Sequence, residues 1–270
     1  MMLSRFIPFL VAVIFLGCKK DLEKNTTPLL VRMETTLGGE TVTTTVQYNE
    51  GKPIMMQAIG STGGSTVNVT TRFIRNSQGI IEMIIIKNPA YLTTFFADSI
   101  IYTLNYSAAN SRYTSLINYL FFKNGIIEYD STYFTYDATG VVTQATKVIN
   151  NGSSPGYQEA ERNEFTYDNG NLIRCKNYIA NSLFLEQNVT YDNKINPMGF
   201  GKEWILIGST RNNRKFEQAS PNNATAVSFN RSGVISTITA TYTYNLNNFP
   251  ASKTDLLQNG STQISTFYYE

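Results

Sequence analysis

Apolar and polar residues alternate along most of this chain with a period of two, in runs of about eight to ten residues, the signature of strands with one dry and one wet face. From Ser236 to Tyr244, Ile238, Ala240, Tyr242 and Tyr244 fall on one side, and Thr237, Thr239, Thr241 and Thr243 on the other. From Ser99 to Ser107, Ile100, Tyr102, Leu104 and Tyr106 share a face opposite Thr103 and Asn105. Clusters of Gly, Asn and Ser cut the runs at Gly60–Gly64, Ala108–Ser111, Asn150–Gly156 and Gln258–Ser261, which is turn chemistry. Asn196 to Gly208, with Met198, Phe200, Trp204, Ile205, Leu206 and Ile207, breaks the alternation and stands apart as a short helix or a crossing segment.

One local motif recurs where strands end. Phe134, Tyr136, Asp137 and Gly140 form one copy, Phe165, Tyr167, Asp168 and Gly170 a second, and Val189, Tyr191 and Asp192 a third. Looser copies end on Tyr48, Phe73, Phe229 and Tyr244, and the chain stops just after Phe267 and Tyr269. Aromatic residues two apart place two rings on one strand face. The Asp or Asn that follows starts a turn, and Gly supplies the positive φ that tight hairpins need. Copies often lie about 25 residues apart, the length of two strands with two turns. The prediction is an all-β antiparallel up-and-down meander of roughly 12–16 strands, a barrel or a strongly curled open sheet, because so long a flat sheet would expose its edges.

The first residues carry a different signal. Met1 to Arg5 is a short basic start, Phe6 to Leu16 is apolar apart from Pro8, and Gly17 precedes Cys18. The apolar run is about half the ~20 residues that span a bilayer as a helix, so a cleaved secretory leader is expected over residues 1–17. Cys18 is the residue a lipoprotein pathway would acylate, although Phe15 and Leu16 are unusual just before it. Residues 18–28 are too polar to bury themselves and read as a tether, able at ~3.3 Å per residue to lift a domain ~30 Å from a membrane. Residues 29–270 then form one β domain.

Composition narrows the chemistry. The chain has no His, which excludes Ser-His-Asp and Cys-His catalysis and the usual zinc sites. Its net charge of +2 comes without a basic stripe, so nucleic acid is not an expected partner. No cofactor or metal motif is present in the sequence. Of the two Cys, Cys175 lies in an apolar-polar alternation, shares a face with Ile173, and reads as a small buried hydrophobe.

The leader together with Tyr-Asp-x-x-Gly hairpins resembles the lipoproteins of Bacteroidetes, and within them the "domain of unknown function with porin-like fold" family. The resemblance rests on Tyr191 to Pro197, Ser220 to Asn223, Tyr242 to Pro250 and the terminal strand ending in Tyr269, with Asn248 where that family has Gly. It covers residues 130–270 well and the first half by repeat pattern. It implies a lipid-anchored β-meander barrel and no activity. Asp21 and Glu23 resemble an acidic surface-export signal diluted by Lys19 and Lys20. Asp98-Ser99-Ile100 and Asp130-Ser131-Thr132 resemble O-glycosylation sites, making Ser99 and Ser131 the candidate attachment points.

The expected protein is an outer-membrane lipoprotein on the periplasmic or surface face, held by the lipid on Cys18. Its expected role is non-enzymatic binding or scaffolding of a glycan or envelope protein. A hydrolase acting through carboxylates alone is the enzyme alternative. Glu159, Glu161 and Glu164, or Asp130 and Asp137, would have to stand about 5–9.5 Å apart across a cleft. A passive surface structural protein is the third reading. A barrel this wide must hold water, a plug or a ligand. Trp204, with Phe200, is the candidate contact, plugging the lumen or lining its mouth.

Overall fold

The structure, a computed structural model, describes residues 28–87, 97–122, 127–149, 158–199 and 219–270. Sixteen strands follow one another: β1 (Leu30–Leu37), β2 (Glu40–Asn49), β3 (Lys52–Thr62), β4 (Ser65–Arg75), β5 (Ile81–Lys87), β6 (Ala97–Ser107), β7 (Arg112–Phe122) and β8 (Ile127–Tyr136). The second half supplies β9 (Val142–Ile149), β10 (Gln158–Asp168), β11 (Asn171–Ile179), β12 (Ser182–Ile195), β13 (Asn222–Arg231), β14 (Val234–Tyr244), β15 (Pro250–Leu256) and β16 (Thr262–Tyr269). Each strand pairs with its neighbours in sequence, and β1 pairs antiparallel with β16, so the meander is a closed barrel. Closure removes the two edges an open sheet would present.

Strand parity gives the barrel two unlike ends. At one end lie Leu29 and Glu270, joined by reciprocal backbone hydrogen bonds of 3.3 and 3.0 Å, together with the motif turns after Tyr48, Tyr136, Tyr167 and Tyr244. This tyrosine end is clasped. Tyr48, Tyr136, Tyr191, Tyr242 and Tyr269 each donate from the phenol to a carbonyl on the preceding strand, that of Leu30, Tyr113, Leu172, Ala224 and Pro250, at 2.5 to 2.9 Å. Register slips by one residue beside Tyr48, Tyr136, Tyr167, Tyr191 and Tyr244. These are β-bulges, which sharpen the local twist and re-aim side chains. In the turns, Asn76, Asp137 and Asn245 accept two backbone N–H groups each through one side-chain oxygen. The Asp137 carboxyl is held below its usual range by the hydroxyl of Thr139 and the N–H of Val141.

The bulge at Ile173 also corrects an expectation. Thr166 pairs with Arg174 but Tyr167 with Leu172, so Ile173 is the extra residue and the alternation resets there. Cys175 therefore shares its buried face with Leu172 rather than with Ile173, each 1% exposed.

The register of Cα partners around the barrel assigns the two faces. Phe73, Ile84, Tyr102, Leu116, Ala145, Phe165, Cys175, Val189, Val227 and Phe267 all look inward and are buried. Ile84 has no exposure at all. These inward side chains are withdrawn from water. The outward face is polar over β1, β2, β10, β11 and β14, with Arg32 and Glu34, Thr41, Thr43 and Thr45, Arg162 and Glu164, Arg174 and Lys176, and the threonine row of β14, whereas on β5 to β7 it carries Met83, Ile85, Ile101, Ile117 and Tyr119. Its side chains bond to each other, as Thr243 does to Ser252 at 2.7 Å and Tyr268 to Glu34 at 2.9 Å.

Candidate functional site

Among the described residues, buried charges interrupt the apolar lining of the lumen on two walls. Across β7 to β11, Asn118 donates to Asp130 at 3.2 Å, and the Lys147 ammonium sits 2.7 Å from the same carboxylate. Glu161, the register partner of Lys147, accepts from Asn177 at 2.8 Å, and Asn177 also donates to Asn163 at 2.8 Å. Two carboxylates and one ammonium thus share a belt wired by amides, which is how buried charge is kept in a low-dielectric interior. On the opposite wall, Lys253 and Asp255 of β15 are both nearly inaccessible and 3.1 Å apart. The Lys253 ammonium lies 5.8 Å from the Tyr242 ring centre.

Among the described residues, two cavities adjoin these walls. The inner one holds about 210 Å³ and is lined by Met33, Thr35, Asn196, Met198, Lys253 and Ser265 among others. The larger, about 930 Å³, opens at the end away from the tyrosine clasps, between the β13–β14 and β15–β16 hairpin tips. Leu185, Phe229 and Ile238 form its floor, and Arg231, Val234, Ser236, Gln258 and Asn259 its sides. Ser232 and Gly233, with φ of 51° and 89°, turn the first of those tips tightly enough to bring Arg231 and Val234 together.

The residues expected from the sequence are distributed as follows. Cys18, Phe200 and Trp204 lie outside the described residues. Met198, from the same non-alternating segment, lines the inner cavity. Ser99 and Ser131 both sit on the outer face, on β6 and β8, where β7 runs between them. The glutamates divide: Glu161 points into the lumen, whereas Glu159 and Glu164 flank Arg162 outside at 3.2 and 3.4 Å. Asp130 is paired in the lumen, and Asp137 serves a turn. The Cys175 thiol is pushed up to about 12, first by burial and then by the nearby charges of Glu161 and Glu164. A thiol so far above neutrality is a poor nucleophile.

The polar belt and the mouth cavity were not foreseen. The belt leaves a trace in sequence, since Glu161 and Asn163 are in phase with Phe165, and Lys253 and Asp255 alternate with Ser252 and Thr254. Polar residues in phase with a dry face are the mark of an internal network.

No protein-family model matches the chain, and no curated protein matches it. Among solved structures it is similar to a porin-like protein from Bacteroides uniformis ATCC 8492, with a TM-score of 0.54, 15% identity, and coverage of 89% of this chain and 98% of that one. A porin-like protein from Bacteroides vulgatus ATCC 8482 aligns with a TM-score of 0.53 and 10% identity, covering 90% and 99%. At such identities the likeness is one of fold.

Proposed function

We propose that this protein is a lipid-anchored envelope module whose barrel stands in water and binds or scaffolds another molecule without catalysis and without conducting. The reversed polarity of its wall carries the reading. A barrel that spans a bilayer presents an apolar band ~25 Å tall to lipid and keeps a polar lumen. Here Glu34, Arg162, Arg174 and Lys176 point outward from the middle of β1, β10 and β11, while Ile84, Phe165, Val189, Val227 and Phe229 are buried inside, and the outward apolar residues Ile85, Ile101 and Ile117 are confined to the β5–β7 side of the wall. One outward Arg or Lys at a bilayer midplane costs about 2–4 kcal/mol, and this wall carries several. An interior lined by buried apolar side chains likewise suits a binding scaffold better than a pore.

The acyl group on Cys18 would then be the sole attachment, with residues 18–28 as tether. Because Leu29 is tied to Glu270 at the tyrosine end, that end faces the anchor and the open cavity faces away from it. The absence of His from the sequence and the division of Glu159, Glu161 and Glu164 between two faces favour binding over hydrolysis. Ser99 and Ser131, on the outer face, are the proposed O-glycan attachment points, and mass spectrometry of the native protein tests for it.

Detergent phase partitioning of the parent and of Cys18→Ala decides the reading. The parent is expected in the detergent phase and Cys18→Ala in the aqueous phase. A Cys18→Ala chain that stays with detergent would mean the wall itself enters the membrane. Single-channel steps in a planar bilayer would equally overturn it.

A further inference from the structure

We propose that the open cavity at the end away from the tyrosine clasps is a binding site for a small anionic amphiphile, an apolar chain or ring carrying one carboxylate or similar acid group. The inference deepens the binding reading by naming the ligand class, and it does not depend on the lipid anchor. The cavity, at about 930 Å³, falls within the size range of small-molecule sites. Its floor is apolar and dry, with Leu185 2% and Phe229 7% exposed. Val234, on the cavity wall, is 70% exposed, so an apolar ligand would remove from water a side chain that the fold leaves in it.

The rim selects the sign of charge. Among the described residues, Arg231 is the one charged side chain in the lining. Its guanidinium lies 4.9 Å from the Phe184 ring centre, stacked on an aromatic face. That ring is its partner, and among the described residues no carboxylate pairs with it. Asn259 adds to the bias. Its side-chain oxygen already accepts from the Ser261 N–H at 3.0 Å and hydroxyl at 2.6 Å, which leaves its amide N–H groups to donate. Cation and donors over an apolar floor suit an acid head on an apolar body. A sugar is a poorer fit, because its many hydroxyls need acceptors and the described lining contains no carboxylate.

The test is calorimetric titration of the full chain carrying Cys18→Ala with decanoate and with decanol, below the concentration at which either aggregates. Decanoate is expected to bind with one site per chain and decanol at least tenfold more weakly. Arg231→Gln is expected to bring decanoate down to the decanol level while leaving decanol unchanged. Val234→Glu, at a position exposed enough not to disturb folding, is expected to weaken decanoate at least tenfold by repelling its head. Absence of decanoate binding overturns the proposal, as does equal affinity for the two probes, or decanoate affinity unchanged by both substitutions. None of these results bears on where Cys18→Ala partitions, so the two readings fail separately.

Discussion

The inner and outer faces of one wall solve opposite problems with the same residue types. Inside, Lys253 and Asp255 are buried and 3.1 Å apart, and Lys147 meets Asp130 at 2.7 Å beside an amide network. Outside, Arg162 stands between Glu159 and Glu164, stacked over Tyr178, with all four groups at least partly open to water. The sixteen-strand topology is common to barrels that bore through membranes, yet here Ile84, Phe165, Val189 and Phe229 are buried toward the axis and Arg162 and Lys176 point away from it. What decides between a pore and a packed barrel is the phase of the hydrophobic alternation, and a shift of one residue would exchange the faces.

If that contrast is right, the largest difference lies between the two kinds of ion pair. Lys253→Met deprives the buried Asp255 of its cation and is expected to cost about 3–5 kcal/mol, the range for breaking one partner of a buried pair. Arg162→Met on the outer face is expected to cost about 0–1 kcal/mol, since exposed pairs contribute little. Urea denaturation of both variants in the Cys18→Ala chain makes the comparison, and equal losses would erase the distinction between faces.

A smaller effect is expected where the lumen meets the tyrosine end. Ser220 is fully buried, accepts from the Leu172 N–H at 3.1 Å and donates to the Tyr191 phenol at 2.9 Å. That phenol in turn donates to the Leu172 carbonyl at 2.7 Å. Ser220→Ala orphans a backbone donor in this closed ring of bonds and is expected to cost about 1–3 kcal/mol. Ser228→Ala, on the outer face of β13, is expected to change stability by less than about 0.5 kcal/mol. Thermal melts followed by near-ultraviolet circular dichroism compare them.

These bonds mark how far the sequence could be read. Strands were legible because alternation is a local property, as in Ser236 to Tyr244, and the barrel followed from their number. The role of the repeated tyrosines was only half legible. Their spacing signalled hairpins, but each clasp reaches a carbonyl 18 to 23 positions back, from Tyr48 to Leu30 or Tyr136 to Tyr113, and that partner is set by register. Register in turn depends on bulges, and the extra residue at Ile173 breaks the phase that placed Cys175. The mouth cavity was hidden for a related reason. Arg231 and Gln258 sit in ordinary turn sequence, and only the closure of β12 to β16 into one wall brings them together.

Alkaline pH sharpens the comparison at the clasps. Burial pushes the Tyr48 phenol up to about 12 and raises that of Tyr269 as well, against about 10 for an unfolded chain. Below pH 10 both states hold the proton and the clasps contribute in full. Between pH 10 and 12 the unfolded chain releases protons that the folded one keeps, so stability falls as pH rises through that window. Melting temperature is expected to be flat from pH 7 to 9 and to decline above 10. The double variant Tyr48→Phe, Tyr269→Phe should show a shallower decline. An identical slope in parent and variant would assign the alkaline loss to other groups.

The smallest expected effect is also the most direct probe of the outer face. Thr239 and Thr241 lie mid-strand in the outward row of β14, both exposed, at a level where a membrane barrel would meet the hydrocarbon. If that face is in water, Thr239→Lys and Thr241→Lys exchange one solvated side chain for another, and the only losses are a little β-propensity and local charge repulsion. Together they are expected to shift stability by less than about 0.5 kcal/mol and to leave Cys18→Ala in the aqueous phase. In a bilayer each lysine would cost about 2–4 kcal/mol near the midplane, so even one would be felt. The two accounts differ by several kcal/mol in a measurement that resolves a few tenths. A double-lysine chain that unfolds or aggregates would show that the outer wall at β14 needs an apolar neighbour.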